Sequence, residues 1–199
     1  LQILPQLNIG GVERGTLDLS KALIHKGHQS FVISGGGILV DELTQCGAKH
    51  YEIPVHIKSL RTLSLAKRLS ETISSIDPDI VHVRSRMPAW VNYRAFKMLQ
   101  KKPLLVSTFH GLYSFPIYSK VMSFVDHSIA ISKTVERYIL ENYKLDQSDI
   151  TIIPRGCDPL EFNNDEINPV DKANIIEEFP QIVGKKVLTI PGRITKWKG

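Results

Sequence analysis

The chain has 199 residues, room for one domain or for one domain and a piece of another. With 42% hydrophobic and 23% charged residues it is too apolar for a disordered chain, and no apolar run approaches the roughly 18 residues of a membrane-spanning helix. Its 25 Lys and Arg against 20 Asp and Glu give a net charge of +5, and its two cysteines, Cys46 and Cys157, exclude a disulfide framework or a Cys-rich zinc site and point to a reducing, cytoplasmic setting.

Leu1-Gln2-Ile3-Leu4-Pro5 reads as the interior of a strand, with no Met at position 1 and no charged segment leading into an apolar one, so no secretory signal is expected. Six further β-branched runs follow: Ser30–Ser34, His50–Ile53, Ile80–Arg84, Leu104–Thr108, Ser128–Ile131 and Thr151–Ile153. Helical stretches alternate with them. Val12, Thr16, Leu19 and Leu23 mark the apolar face of the first, which Gly27 closes. Leu65, Leu69, Ile73 and Ile76 stripe a second over Leu63–Ile76, with Lys67, Arg68, Glu71 and Ser75 facing away and Asp77-Pro78-Asp79 ending it. A third is expected over Ala89–Lys101, and a fourth begins at Ser132, a good N-cap. Alternation of this kind predicts an α/β, Rossmann-like parallel sheet with helices on both faces. Residues 1–165 form that domain, 166–186 a polar linker, and 187–199 the first strand and loop of another domain, so the chain reads as a piece of a longer protein.

Such sheets bind ligands at the carboxyl ends of their strands. After the first strand stand Gly10 and Gly11, either a plain tight turn or a place where backbone N–H groups approach an anion at a helix N-terminus. The dinucleotide fingerprint G-x-G-x-x-G is absent, and Ser34-Gly35-Gly36-Gly37 lacks the acidic residue that holds a ribose, which argues against an NAD enzyme. After the fourth strand come Arg84, Ser85 and Arg86, a candidate clamp for phosphate or carboxylate or else solvated charge. His110 sits at the tip of the fifth strand, where a structural and a functional role are equally open. The seven histidines show no H-E-x-x-H spacing, so no metal site is read, and no G-x-S-x-G elbow occurs. Cys157 reads as a small buried hydrophobe rather than a nucleophile.

Together these loops resemble glycosyltransferase family 4. Gly10-Gly11-Val12-Glu13-Arg14 is similar to its G-G-x-E-R loop, Asp79–Ser85 to D-I-V-H-x-H-S, Thr108–Gly111 to T-x-H-G and Ala130-Ile131-Ser132 to A-V-S. Ile153–Asp158 with Phe162 resembles I-P-N-G-V-D…F, and Gly192-Arg193 with Lys198-Gly199 resembles G-R-x-x-x-x-K-G. The resemblance implies a GT-B fold, of which this chain is the N-terminal, acceptor-side half. It also implies sugar transfer with retention, no metal and no cofactor, since the nucleotide-sugar is a substrate. Carried over position by position, it assigns His110 to the transferred sugar and Gly10, Gly11, Arg193 and Lys198 to the donor phosphates. Arg14, Arg84, Ser85, Arg86 and Arg155 fall on the acceptor side.

Two positions depart from the family pattern. Arg84 stands where the motif has His, and Arg155 where it has Asn; both add positive charge that suits an anionic acceptor such as a phosphorylated or lipid-linked glycan. Lys58, Arg61, Lys67 and Arg68 on one segment, and Arg94, Lys97, Lys101 and Lys102 with Trp90, Tyr93, Phe96 and Met98 on another, suit an anionic membrane surface or an ordinary solvated face. Nucleic-acid binding is the poorer reading, since the charge is dispersed and no recognised module appears, and no nucleic-acid partner is expected. The expected activity is transfer to a bacterial envelope glycan, such as lipopolysaccharide. The alternatives are a non-catalytic carbohydrate- or nucleotide-binding module and a GT-B sugar epimerase.

Overall fold

The computed structural model describes residues 1–57, 64–113, 116–159 and 167–189. They fall into two compact units, Leu1–Arg155 and Gly156–Gly199. The first is built on seven parallel strands: β1 (Gln2–Ile3), β2 (Phe31–Ser34), β3 (Lys49–Glu52), β4 (Ile80–Val83), β5 (Leu104–Phe109), β6 (His127–Ala130) and β7 (Ile150–Ile152). Their order across the sheet is β3-β2-β1-β4-β5-β6-β7. All seven expected strands are present, each within two or three residues of its expected bounds. The chain builds outward from β1 to β3 and then returns to add β4 on the other side of β1. The crevice beyond the carboxyl ends of β1 and β4 is therefore the topological switch point, where the two connections part and leave room for a ligand.

Period-2 alternation sends neighbouring strand residues to opposite faces. Val32 packs with Leu17 and Leu43 beneath α1 (Gly11–His25) and α2 (Val40–Gln45). Ile33 packs with Leu69, Ile73 and Val91 beneath α3 (Ala66–Ile76) and α4 (Arg86–Phe96). Of the stripe predicted for α3, Leu69 and Ile73 are buried and Leu65 and Ile76 half-buried, while Lys67, Arg68, Glu71 and Ser75 are exposed. Asp77 closes the helix at φ 47°, a left-handed position that short polar side chains tolerate.

Three helical expectations are corrected. On α1 the fully buried residues are Thr16, Leu17 and Ser20, while Leu19 and Leu23 are half-buried. The helix is turned by Gln2 on the sheet below, whose amide Nε2 donates to the Thr16 carbonyl at 3.1 Å and to Ser20 Oγ at 3.0 Å. Helix α4 begins at Arg86 instead of Ala89, because Pro88 lies in the first turn, where no N–H is needed. It ends at Phe96 instead of Lys101, where tight bonds from Lys97 to Arg94 and from Met98 to Ala95 unwind it. Trp90, Tyr93 and Phe96 pack against the core, and the Trp90 indole donates to the Tyr118 carbonyl at 2.9 Å. The aromatic half of the expected lipid face is thus used for packing, and Lys58 and Arg61 lie outside the described residues.

Past β5 come the short α5 (Pro116–Ser119) and a 3-10 turn, then α6 (Lys133–Asn142), capped as expected by Ser132, whose Oγ accepts from the Val135 N–H at 3.2 Å. In the second unit, α7 (Pro169–Glu178) is capped by Asn168, and Val187–Thr189 are not in a strand. Cys157 is exposed, not buried, because it follows the point where the chain leaves the sheet. No described helix is long and apolar enough to cross a membrane.

Candidate functional site

Four loops meet at the carboxyl ends of the strands. The first, after β1, starts α1 with Gly10 as N-cap in an extended conformation and with no side chain capping the helix. Helix α4, after β4, has Ser85 as its N-cap and also lacks a side-chain cap bond. An uncapped first turn leaves backbone N–H groups without protein acceptors and carries the positive end of the helix dipole. Glu13 folds back over Gly10: a Cβ built there would lie 2.3 Å from Glu13 Oε2. A Cβ on Gly11 would lie 2.6 Å from an Arg155 guanidinium nitrogen, so the close approach of Arg155 to this loop depends on glycine.

Arg84, just past β4, is only 7% exposed. Its Nη1 donates to Gln2 Oε1 at 2.8 Å, and its Nε is buried without a partner among the described residues. Gln2 in turn bonds α1, and Ser20 accepts from Ser30 Oγ at 3.0 Å, so a polar chain runs beneath the helix from Arg84 to β2. Burial and the nearby Arg155 lower the Arg84 pKa to about 10, against the pull of Asp18 and Glu13; it remains a cation at neutral pH. Arg155, past β7, donates to the Gly11 carbonyl and, at 3.0 Å, interacts through Nη2 with His110 Nδ1. His110 Nε2 is buried and unpartnered among the described residues.

Burial and these cations set the state of the histidines. Burial, then Arg84 and Arg155, push the His110 pKa down to about 3. His82, on β4, is 8% exposed and 2.7 Å from Thr108 Oγ1, and burial followed by Arg84 and His110 lowers it to about 3 as well. Both imidazoles are neutral at pH 7, and the positive charge of the crevice belongs to the two arginines.

The structure therefore brings together Gly10, Gly11, Arg84, Arg155 and His110. Ser85, next to Arg84 in the chain, is the N-cap of α4. Arg86 is drawn elsewhere: its guanidinium lies 4.8 Å and 5.3 Å from the rings of Tyr113 and Tyr118, and Nη1 reaches Ser119 Oγ at 3.4 Å. Arg14 pairs with Asp18 at 3.4 Å and with Glu42 at 3.3 Å, tying α1 to α2. Arg193 and Lys198 lie outside the described residues. Gln2 and His82 were not singled out by the sequence. The available signal was a polar residue inside each of two apolar strands, which marks a buried hydrogen bond without naming its partner.

Most of the chain, residues 9–160, matches the family model described as Glycosyltransferase Family 4. A glycosyltransferase from Rickettsia africae is 35% identical, with a TM-score of 0.79 over 100% of this chain and 54% of its own. One component of the human phosphatidylinositol N-acetylglucosaminyltransferase is 25% identical over 85% of this chain and 38% of its own length. Anabaena HepE, solved in complex with UDP-glucose, shares the fold at 15% identity with a TM-score of 0.70, over 90% of this chain and 49% of its own. The chain thus spans about half, or less, of the length of these proteins.

The depressed histidines make stability depend on pH. Below about pH 6.5 the unfolded chain protonates both imidazoles, whereas the folded protein does so only near pH 3. The unfolded state binds more protons in that window, so their contribution is complete above pH 6.5 and declines as the pH falls. The urea midpoint of the wild type should drop between pH 6.5 and 5, above the main carboxylate range, and drop less in His110→Gln. A midpoint that is flat across this range would contradict the neutral, cation-flanked imidazoles.

Proposed function

The chain belongs to glycosyltransferase family 4, and on that premise we propose that it forms the acceptor-side half of an enzyme moving a sugar from a nucleotide-sugar to a glycan or lipid-linked acceptor with retention. The observation that carries this reading is the convergence, at the switch point, of the uncapped α1 N-terminus, the buried Arg84, Arg155 and the unpartnered His110 Nε2. In the reaction the bond from the anomeric carbon to the diphosphate oxygen breaks. The acceptor hydroxyl oxygen bonds to that carbon, and its proton leaves with the diphosphate. Negative charge grows on the departing group, where fixed N–H donors and cations stabilise it. The first-turn N–H groups at Gly10-Gly11 are such donors in this chain, and Arg193 and Lys198 take the same role by resemblance. A UDP-type donor is supported by the UDP-glucose bound to a protein of the same fold.

His110, neutral, hydrogen-bonds a sugar or acceptor oxygen and holds the reacting groups in line. The positive potential of Arg84 and Arg155 favours an acceptor that carries phosphate or another anion. Of the expected basic face, Arg94 on α4 and Lys97 and Lys102 beyond its end are exposed, as is Met98 at 53%, and we assign them to an anionic lipid surface.

Two outcomes test the reading. In the whole protein, His110→Ala should reduce turnover by about 10²–10³-fold in an assay that identifies the glycoside product, with little change in melting temperature. Near wild-type turnover would remove His110 from the reaction, and a large fall in melting temperature with proportionate loss of activity would make it a structural residue. At the lipid surface, Lys97→Ala and Lys102→Ala should each weaken binding to phosphatidylserine vesicles by about 1 kcal/mol, an effect that salt abolishes. Sedimentation with vesicles that is independent of lipid charge would overturn the assignment.

A further inference from the structure

Arg155 reaches two loops at once. Its Nη1 donates to the Gly11 carbonyl and its Nη2 lies 3.0 Å from His110 Nδ1. A guanidinium carries only donors and keeps its proton throughout the range in which proteins work. The contact with His110 holds a single hydrogen, and it belongs to Arg155. Nδ1 must therefore present its lone pair. This excludes both the imidazolium and the neutral form protonated at Nδ1, and leaves the form protonated at Nε2. The Nε2 atom is buried and has no partner among the described residues, so its N–H is reserved for a ligand that enters the crevice.

We infer that Arg155 is a positioning residue that locks His110 in its Nε2-protonated tautomer, so that His110 meets the substrate as a hydrogen-bond donor and not as a proton acceptor. Asparagine, the residue that the resembling motif carries at this position, has both a donor and an acceptor on its amide and is compatible with either tautomer. Arginine removes the choice. The burial of His110 and the charge of Arg84 act in the same direction by disfavouring the imidazolium. Through Nη1 the same guanidinium is fastened to the glycine loop, so the tautomer of His110 and the position of that loop are set by one side chain. The lock is a property of this chain alone; only the identity of the oxygen that receives the Nε2–H rests on the transferase reading.

The test uses the chain labelled with 15N-histidine and two-bond 1H–15N spectra, which report the protonation of each ring nitrogen. For wild-type His110 the expected pattern from pH 8 to 5 is a lone-pair nitrogen at Nδ1 and a protonated nitrogen at Nε2. Arg155→Met removes the donor at similar length, and His110 should then show a mixture of tautomers and titrate at higher pH. Arg155→Lys, again a donor only, should restore the Nε2-protonated form. In the whole protein Arg155→Met should lower kcat by up to about tenfold, the effect of one misoriented hydrogen bond. The inference is overturned if wild-type His110 carries its proton on Nδ1, or if Arg155→Met leaves both ring shifts in place. The spectra require no substrate. A protein that fails to transfer sugar would still show the lock, and a protein that transfers sugar with a freely exchanging His110 would refute the lock while preserving the enzyme. Should Arg155→Met not fold, the wild-type and Arg155→Lys spectra decide the matter.

Discussion

A guanidinium that is 7% exposed and bonded to a neutral amide is the constraint from which the rest of this structure follows. Burying a cation away from water is costly unless it is paired, and Arg84 is given Gln2 instead of a carboxylate. The Gln2 oxygen accepts from Arg84 and its nitrogen donates to α1, so one side chain joins β1, β4 and the helix between them. That explains why α1 turns Thr16 and Ser20 inward in preference to Leu19 and Leu23. It also explains why Gly15, where a Cβ would stand 3.3 Å from Arg84 Nη2, lies over the guanidinium.

This charge, bonded to no carboxylate, has chemical consequences at the sheet's carboxyl edge. Burial first, and this charge after it, keep His82 and His110 neutral, and with Arg155 it makes the crevice electropositive, with no acid bonded to either arginine among the described residues. Two helices begin there without side-chain caps, while α6, farther along the sheet, is capped by Ser132. Helix ends that lack side-chain caps, beside cations that no described acid pairs, are what the proposed function asks of a site for a negatively charged ligand. A neutral imidazole at its centre suits a group that orients an oxygen more than one that shuttles protons.

The sheet was legible in the sequence because β-branched runs of three to five residues alternate with stripes of helical period, and that pattern has one compact solution. The loops after β1, β4 and β5 were legible for a related reason: topology places ligands at strand ends, so residues such as His110 draw attention by position. What could not be read were partnerships across long stretches of chain. Gln2 and Arg84 are 82 positions apart, and His110 and Arg155 are 45 apart. No local pattern encodes either pair. The aromatic residues of α4 show the same limit. A Trp, a Tyr and a Phe beside lysines serve equally well for lipid or for core, and only the carbonyl of Tyr118 opposite the Trp90 indole shows which was used. Arg86 was drawn away in a similar manner, by two tyrosines that the sequence places 27 and 32 positions later.

On the proposed function, Arg84 and Arg155 make the switch-point crevice a receptor for an anion at the start of α1. Titration of the 15N-labelled chain with inorganic pyrophosphate tests it most directly. The expected result is a set of saturable amide shifts centred on Gly11, Val12 and His110 that weaken with added salt. Shifts confined to exposed lysines such as Lys26 and Lys102, with Gly11 and His110 unmoved, would contradict it.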